Sequence, residues 1–235
     1  MCQTVPGQKD LVIAIDGPAA SGKSTTAKLV ARRLGYVHVD TGAMYRAVTL
    51  KVLRAELDPL DEESIGRLLE STRVALEDHA GVLRVFLDDE DVTEEIRTSE
   101  VTRSVSSVSS LRSVRRAMVR EQRRMGEKGG IVLEGRDIGT VVFPDADVKF
   151  FVVASINERA RRRLREIRQT GVEANLEDLE RELEERDRTD STRSESPLQR
   201  ADDAIEVDTS SLTIDQQVEL VVETVQRKRE EGKGA

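Results

Sequence analysis

Eight residues near the start of the chain, Gly17-Pro18-Ala19-Ala20-Ser21-Gly22-Lys23-Ser24, follow the pattern G-x-x-x-x-G-K-[ST] between a short apolar run, residues 11–15, and a stretch of helical periodicity. That context constrains the fold strongly. A buried parallel strand delivers the chain to a tight turn of small residues, whose backbone N–H groups curl around phosphate oxygens while the next helix points its positive end at the same anion. Ala27, Val30, Ala31 and Leu34 continue at i, i+3, i+4 and i+7, and Gly35 supplies the stop. Residues Gly17 through Ser24, with Thr25, are therefore candidates for binding a nucleoside triphosphate; Lys23 would reach its β- and γ-phosphates, and the Ser24 hydroxyl would sit on Mg²⁺. An ordinary glycine-rich turn leaves the Lys-Ser pair and its helix to coincidence. The motif does not name the reaction.

Five short apolar segments, residues 11–15, 36–39, 131–133, 148–153 and 204–207, alternate with helical stretches. This alternation predicts an α/β fold, a parallel sheet with helices on both faces, whose ligands bind beyond the carboxyl ends of the strands. Near the chain's end Thr213 and Gln216 form a capping-box pair, and Val218, Val221, Val222 and Val225 make one apolar stripe of a packing helix. Residues 57–96 break the rhythm. There, 74–77 and 81–87 flank Asp78-His79-Ala80 as a small hairpin in polar surroundings, which predicts an inserted lobe with His79 in its turn. The main domain is then 10–56 with 97–230, and the ends, 1–9 and 231–235, are expected to be flexible. His38, inside the second strand, reads as a packed or hydrogen-bonded core residue before it reads as a base.

With 235 residues, 35% of them charged, the chain has no apolar run long enough to cross a membrane. Its first residues lack a basic start and an apolar signal core, and Cys2 has no partner for an internal disulfide, so a cytoplasmic location is expected. A net charge of −8 is awkward for a polyphosphate-binding protein until it is located. Residues 58–95 hold thirteen acids against three bases, and the remainder is net positive. Anion-binding clefts are thus open to the rest of the chain.

Two segments at strand ends carry chemistry. Asp40-Thr41-Gly42-Ala43-Met44-Tyr45-Arg46 sets hydroxyl and backbone donors at a helix start with an arginine one turn inside. Asp40 or Thr41 could simply cap that helix, which leaves Arg46 to explain. The third strand runs into Glu134-Gly135-Arg136-Asp137-Ile138-Gly139-Thr140, where Glu134 is placed to hold Mg²⁺. Arg136 and Asp137 side by side fit a surface ion pair or a site equally well.

These two segments, together with Arg186-Asp187-Arg188-Thr189-Asp190-Ser191-Thr192-Arg193, closely resemble the bacterial cytidylate kinases, and the resemblance runs from about residue 10 to 230. It implies a P-loop NTPase-type fold with an inserted acceptor-binding lobe (57–96) and a short lid (about 158–171). It implies phosphoryl transfer from ATP to CMP or dCMP with Mg²⁺, in a monomeric cytoplasmic enzyme without nucleic-acid or membrane partners. Carried over by motif, the acceptor site falls on Thr41, Arg46, Ser106, Arg115, Arg136, Asp137, Arg186, Asp190 and Arg193. Arg46 and Arg136 would clamp the CMP phosphate; Thr41, Arg115 and Asp137 would face the base; Ser106, Arg186 and Asp190 would serve the sugar. The catalytic set is Lys23, Arg136 and Arg193, and the metal set Ser24 and Glu134.

The run Arg159-Ala160-Arg161-Arg162-Arg163-Leu164-Arg165 could be a solvated helix face or a nucleic-acid contact; the resemblance favours lid arginines that neutralise charge on the transferred phosphoryl group. Three rivals remain on the sequence alone. Another small-molecule kinase, for UMP or AMP, is the nearest. A nucleic-acid-stimulated ATPase or a GTPase is disfavoured by 3% aromatic residues and no Asn-Lys-x-Asp signature. A purely structural nucleotide-binding module would not need a second arginine-bearing anion pocket.

Overall fold

The computed structural model describes residues 10–79, 82–169 and 173–231. The expected flexible ends, Cys2 among them, lie outside these residues apart from Glu231, as do residues 80–81 of the expected hairpin and 170–171 of the expected lid.

In chain order the elements begin with β1 (Val12–Asp16), α1 (Lys23–Leu34), β2 (Val37–Asp40), α2 (Thr41–Arg54) and α3 (Glu62–Leu69). A small sheet follows, β3 (Val74–His79), β4 (Val82–Leu87) and β5 (Glu90–Asp91), and then α4 (Ser99–Ser110) and α5 (Arg112–Gly126). The chain continues through β6 (Ile131–Gly135), β7 (Val148–Val153), α6 (Ile156–Gln169), α7 (Leu176–Thr192), β8 (Ile205–Asp208) and α8 (Ile214–Glu231). Two compact units result. The first takes residues up to His38, Lys128–Thr192 and those from Pro197 onward; the second takes Val39–Glu127 with Arg193–Ser196.

The first unit is built on a parallel sheet in the order β2-β6-β1-β7-β8, the α/β architecture expected of the alternating pattern. Each predicted strand is present, and four of the five extend to the charged residue just past the apolar run, or beyond it. Backbone pairing continues after hydrophobicity stops: Asp16 still pairs with Gly135 and Phe151, and Val153 with Asp208. Charged residues are thereby set at the carboxyl edge, where ligands bind such sheets. On one face, Ile13, Ile15, Val132, Phe150 and Val152 pack against Ala27, Val30 and Ala31 of α1 and Val218, Val221, Val222 and Val225 of α8. Burial of this stripe holds α8 down, and its capping box closes as expected: Gln216 N–H donates to Thr213 Oγ1 at 3.3 Å, and Thr213 N–H to Gln216 Oε1 at 2.9 Å.

In the second unit α2 is buried along most of its length, through Ala43, Met44, Ala47, Val48, Leu50 and Val52. Strands β3, β4 and β5 form an antiparallel meander. The expected turn at Asp78-His79 gives way to strand, because β3 runs on until His79 pairs with Val82. Strand β3 therefore outlasts its apolar pattern, whereas β4 stays within it. His79 is exposed and bonds Glu77 at 2.8 Å, a surface role in keeping with the bland reading of it. Asp88 and Asp89 make the β4–β5 turn with φ of 51° and 70°, the left-handed pair that a two-residue hairpin requires.

The α8 cap offers a local test of this fold. Thr213→Ala removes one of two reciprocal bonds at an exposed helix start, and is expected to lower unfolding free energy by about 1 kcal/mol. Chemical denaturation measures it; an unchanged midpoint would mean that the cap contributes nothing to α8.

Candidate active site

Gly17 lies where β1 leaves the sheet, and a Cβ there would sit 2.1 Å from the Val152 carbonyl oxygen, so no other residue fits. The loop then turns through Ala20 (φ 58°) and Gly22 (φ 93°) into α1. Lys23 opens the helix. It is buried, with Nζ donating to the Pro18 carbonyl at 3.0 Å, so the ammonium is folded over the loop it follows. Ser24 and Thr25 stand exposed on the same first turn.

Glu134, only 2% exposed at the end of β6, gathers the donors around it. The Ser24 hydroxyl donates to its Oε2, and His38 Nε2 lies 3.0 Å from its Oε1. Burial opposes ionisation of this carboxyl, yet the His38 bond, the Lys23 charge and the Ser24 hydroxyl outweigh it and hold the group below the ordinary carboxylate range. Glu134 is therefore charged at neutral pH. His38 occupies the hydrogen-bonded core role expected of it.

Asp16 behaves in the opposite way. It ends β1, and burial pushes its carboxyl up to about 7, although the Gly139 and Ile138 N–H groups pull the other way. Those two N–H groups donate to it at 2.7 and 2.8 Å.

Arg136 does not pair with its neighbour Asp137. Its Nε donates to Asp190 Oδ2 of α7 at 2.8 Å, and Asp137 is itself buried, so the surface ion-pair reading fails for both. Arg186 is half-buried on α7, one turn before Asp190. In the second unit Asp40 caps α2, its Oδ1 accepting from Ala43 N–H at 3.0 Å, and Thr41 is the buried first residue of the helix. Arg46 bonds the Thr102 hydroxyl at 2.9 Å. Arg115 is buried with its guanidinium 4.9 Å from the centroid of the Tyr45 ring. Ser106 and Arg115 occupy different helices, because Leu111 is extended and separates α4 from α5. Arg193 Nε donates to the Ser196 carbonyl at 2.7 Å, across a turn in which Ser196 has φ of 50°.

The arginine run divides by face. Arg159 is buried, bonding the Ala19 carbonyl at 3.2 Å and Asp187 of α7 at 2.6 Å. Arg162 donates to the Ser21 carbonyl at 3.1 Å and to the Thr209 carbonyl at 2.7 Å. Thr209 in turn donates to the Ser21 carbonyl at 2.7 Å. Arg161, Arg165 and Arg168 are exposed. Two arginines of α6 therefore brace the outside of the phosphate loop, and Ala160, Leu179 and Leu183 pack beneath Ala19.

The family model described as cytidylate kinase matches residues 13–227. The chain belongs to the cytidylate kinase family. Within it, cytidylate kinase of Bacillus subtilis (strain 168) is 48% identical over 221 residues, spanning 94% of this chain and 99% of that protein. Cytidylate kinase of Bacillus pumilus (strain SAFR-032) is 50% identical over 220 residues, spanning 94% and 98%. Family membership makes the chain a phosphotransferase with a phosphate group as acceptor. A solved structure of an uncharacterized protein from Eubacterium ventriosum ATCC 27560 shares the fold, with a TM-score of 0.51 at 12% identity over 93% of this chain and 99% of that one. No helix among the described residues is long and apolar enough to cross a membrane.

Asp16, Asp187 and Thr209 escape a reading of the sequence. Asp16 and Thr209 had one available signal, a polar residue at the carboxyl end of a sheet strand or just past it.

The Asp16 environment makes stability depend on pH. Unfolded, this carboxyl loses its proton near 3.8; folded, near 7. Between those values the native state keeps a proton that the unfolded chain has released, so stability falls as pH rises through the window. At about 1.4 kcal/mol per tenfold, wild type should lose roughly 2–3 kcal/mol relative to Asp16→Asn between pH 5 and pH 8. Unfolding free energies of both proteins across that range test it, and a pH-independent difference contradicts it.

Proposed function

We propose that this chain transfers the γ-phosphoryl group of ATP to CMP and dCMP, giving CDP and dCDP, with Mg²⁺ held by Ser24 and Glu134. The observation that carries this reading is the junction of phosphate loop and β6, where Lys23 and Ser24 meet a buried, ionised carboxylate in a chain of the cytidylate kinase family. Phosphoryl transfer asks the protein chiefly for positioning and for charge aimed at the transferred oxygens. Lys23 supplies a cation for the β- and γ-phosphates, released from the Pro18 carbonyl as the nucleotide arrives.

The Ser24 hydroxyl and Glu134 carboxylate are adjacent hard oxygen ligands, which suit a magnesium ion completed by water and phosphate oxygens. Among the described residues no cluster of three or more His, Cys, Asp or Glu offers an all-protein cage, in keeping with a metal that arrives with its nucleotide. Held by these two residues, Mg²⁺ would supply positive charge to the phosphate oxygens. On the acceptor side, Arg136 and Asp137 serve the phosphate and base, and Arg186 and Asp190 the sugar. The same proposal assigns acceptor roles to Thr41, Arg46, Ser106 and Arg115, a catalytic role to Arg193, and an acceptor-binding role to residues 57–96. The described part of the expected lid, residues 158–169, is assigned that role here, and the protein works as a cytoplasmic monomer on small molecules alone.

A coupled assay with each nucleoside monophosphate in turn tests the activity: ATP consumption should appear with CMP and dCMP. Consumption that rises with RNA or DNA, or only with AMP, overturns the reading. Lys23→Ala should stay folded and lose on the order of a hundredfold or more in kcat, because one point charge on the phosphates is removed. Wild-type turnover in that variant would remove the loop from catalysis.

Base choice follows from hydrogen-bond signs. Cytosine offers an N4 amino donor beside an N3 acceptor, which suits a carboxylate at Asp137 and a guanidinium at Arg115; uracil reverses both signs. A site built for one pattern can reject the other by roughly 10⁴-fold. Asp137→Ala should therefore lower kcat/KM for CMP and narrow its lead over UMP, and an unchanged CMP-to-UMP ratio takes Asp137 out of the base pocket.

A further inference from the structure

Asp16 has no part in the transfer as described, yet it is a buried acid one residue from the phosphate loop. It caps a piece of backbone far away in sequence. Residues Ile138–Val142 form a short π-helical turn in which Val142 N–H bonds the Asp137 carbonyl at 3.1 Å and Phe143 N–H the Ile138 carbonyl at 2.7 Å. The first N–H groups of such a turn have no partner within it, and Asp137, at the cap position, makes no side-chain cap bond. Asp16 does this from another strand: Oδ1 takes Ile138 N–H at 2.8 Å and Oδ2 takes Gly139 N–H at 2.7 Å. A Cβ at Gly139 would lie 3.4 Å from Asp16 Oδ2, an ordinary contact, and 3.1 Å from the Lys149 side chain, which would have to give way.

The residues just before this turn are Arg136 and Asp137, and the residue just after Asp16 is Gly17. One carboxylate therefore joins the strand end that carries the phosphate loop to the strand end that carries Arg136 and Asp137. Backbone pairing of β1 with β6 stops at Asp16 and Gly135, which is where this bond pair takes over. A carboxyl group suits the task because it is short and each of its two oxygens can accept from one of two successive N–H groups.

We propose that Asp16 is a positioning residue for phosphoryl transfer, its carboxylate fixing Arg136 and Asp137 at a set distance from the phosphate loop. This rests on the acceptor roles proposed above for those two residues.

Asp16→Asn tests it with little change of shape: the amide keeps one acceptor and turns an N–H donor toward the other backbone N–H. The expected result is a loss of about tenfold or more in kcat/KM for CMP, with the dissociation constant of a non-hydrolysable ATP analogue within about twofold of wild type. In an Arg136→Ala background the same substitution should cost clearly less than in wild type, because one of the two residues it positions is gone. Asp16→Ser, which keeps one short acceptor and brings no amide N–H, should lower CMP turnover in the same direction and serves if Asp16→Asn does not fold. Unchanged CMP kinetics in Asp16→Asn, a parallel loss of ATP-analogue and CMP affinity, or full additivity with Arg136→Ala would each overturn the proposal. If Arg136→Ala itself keeps wild-type CMP kinetics, the acceptor reading fails and the proposal with it. Loss in Arg136→Ala beside wild-type behaviour in Asp16→Asn fails the proposal alone.

Discussion

The charge on Glu134 has to be compensated where it stands, because a carboxylate removed from water is tolerated only when paired and hydrogen-bonded. Three elements meet that demand. Helix α1 brings Ser24 as a donor and Lys23 as a nearby charge, and β2 brings His38. Each depends on prior geometry. Helix α1 starts where it does because Gly17 lets the chain pass under the Val152 carbonyl, and His38 faces Glu134 because β2 lies beside β6 in the sheet. The apolar stripe of α8 closes over α1 and holds the arrangement from outside.

Compensation of this kind is costly as a means of stability and useful as a means of placement. An apolar residue at 134 would satisfy the sheet without the network. What the charge provides instead is a pair of oxygen ligands, Ser24 and Glu134, already in contact at the mouth of a phosphate loop. The loop is braced in a complementary way on its far side, since Arg159, Arg162 and Thr209 occupy the outward carbonyls of Ala19 and Ser21. With those carbonyls engaged, the loop is held in the conformation its small residues permit, and its N–H groups need no rearrangement to receive phosphate.

Much of this was readable in the sequence, and the unreadable part has a physical pattern. Strand positions, the course of α1 and the capping box of α8 followed from local signals, because burial and capping act over a few residues. Strand ends did not: Asp16 and His79 stay in strands through backbone pairing, which carries no hydrophobic mark. Leu111 separates α4 from α5 without a glycine or proline, so no local breaker announces the boundary. The arginine run was the hardest to read, since charge composition is the same whether a guanidinium faces solvent or a carbonyl. Arg159 finds its partner 140 residues earlier in the chain, and only the fold brings Ala19 to it.

The central claim is that the ionised carboxylate of Glu134, and not merely its shape, makes the loop competent for transfer. Glu134→Gln keeps the size and one acceptor oxygen while removing the charge, so it separates the two directly. CMP-dependent ADP formation should fall by roughly two orders of magnitude, as expected when an electrostatic element of the transition state is lost. The variant should stay folded with a lowered thermal midpoint, because the donors that hold this carboxyl ionised lose the charge they compensate. Turnover near that of wild type in a folded Glu134→Gln protein would contradict the account.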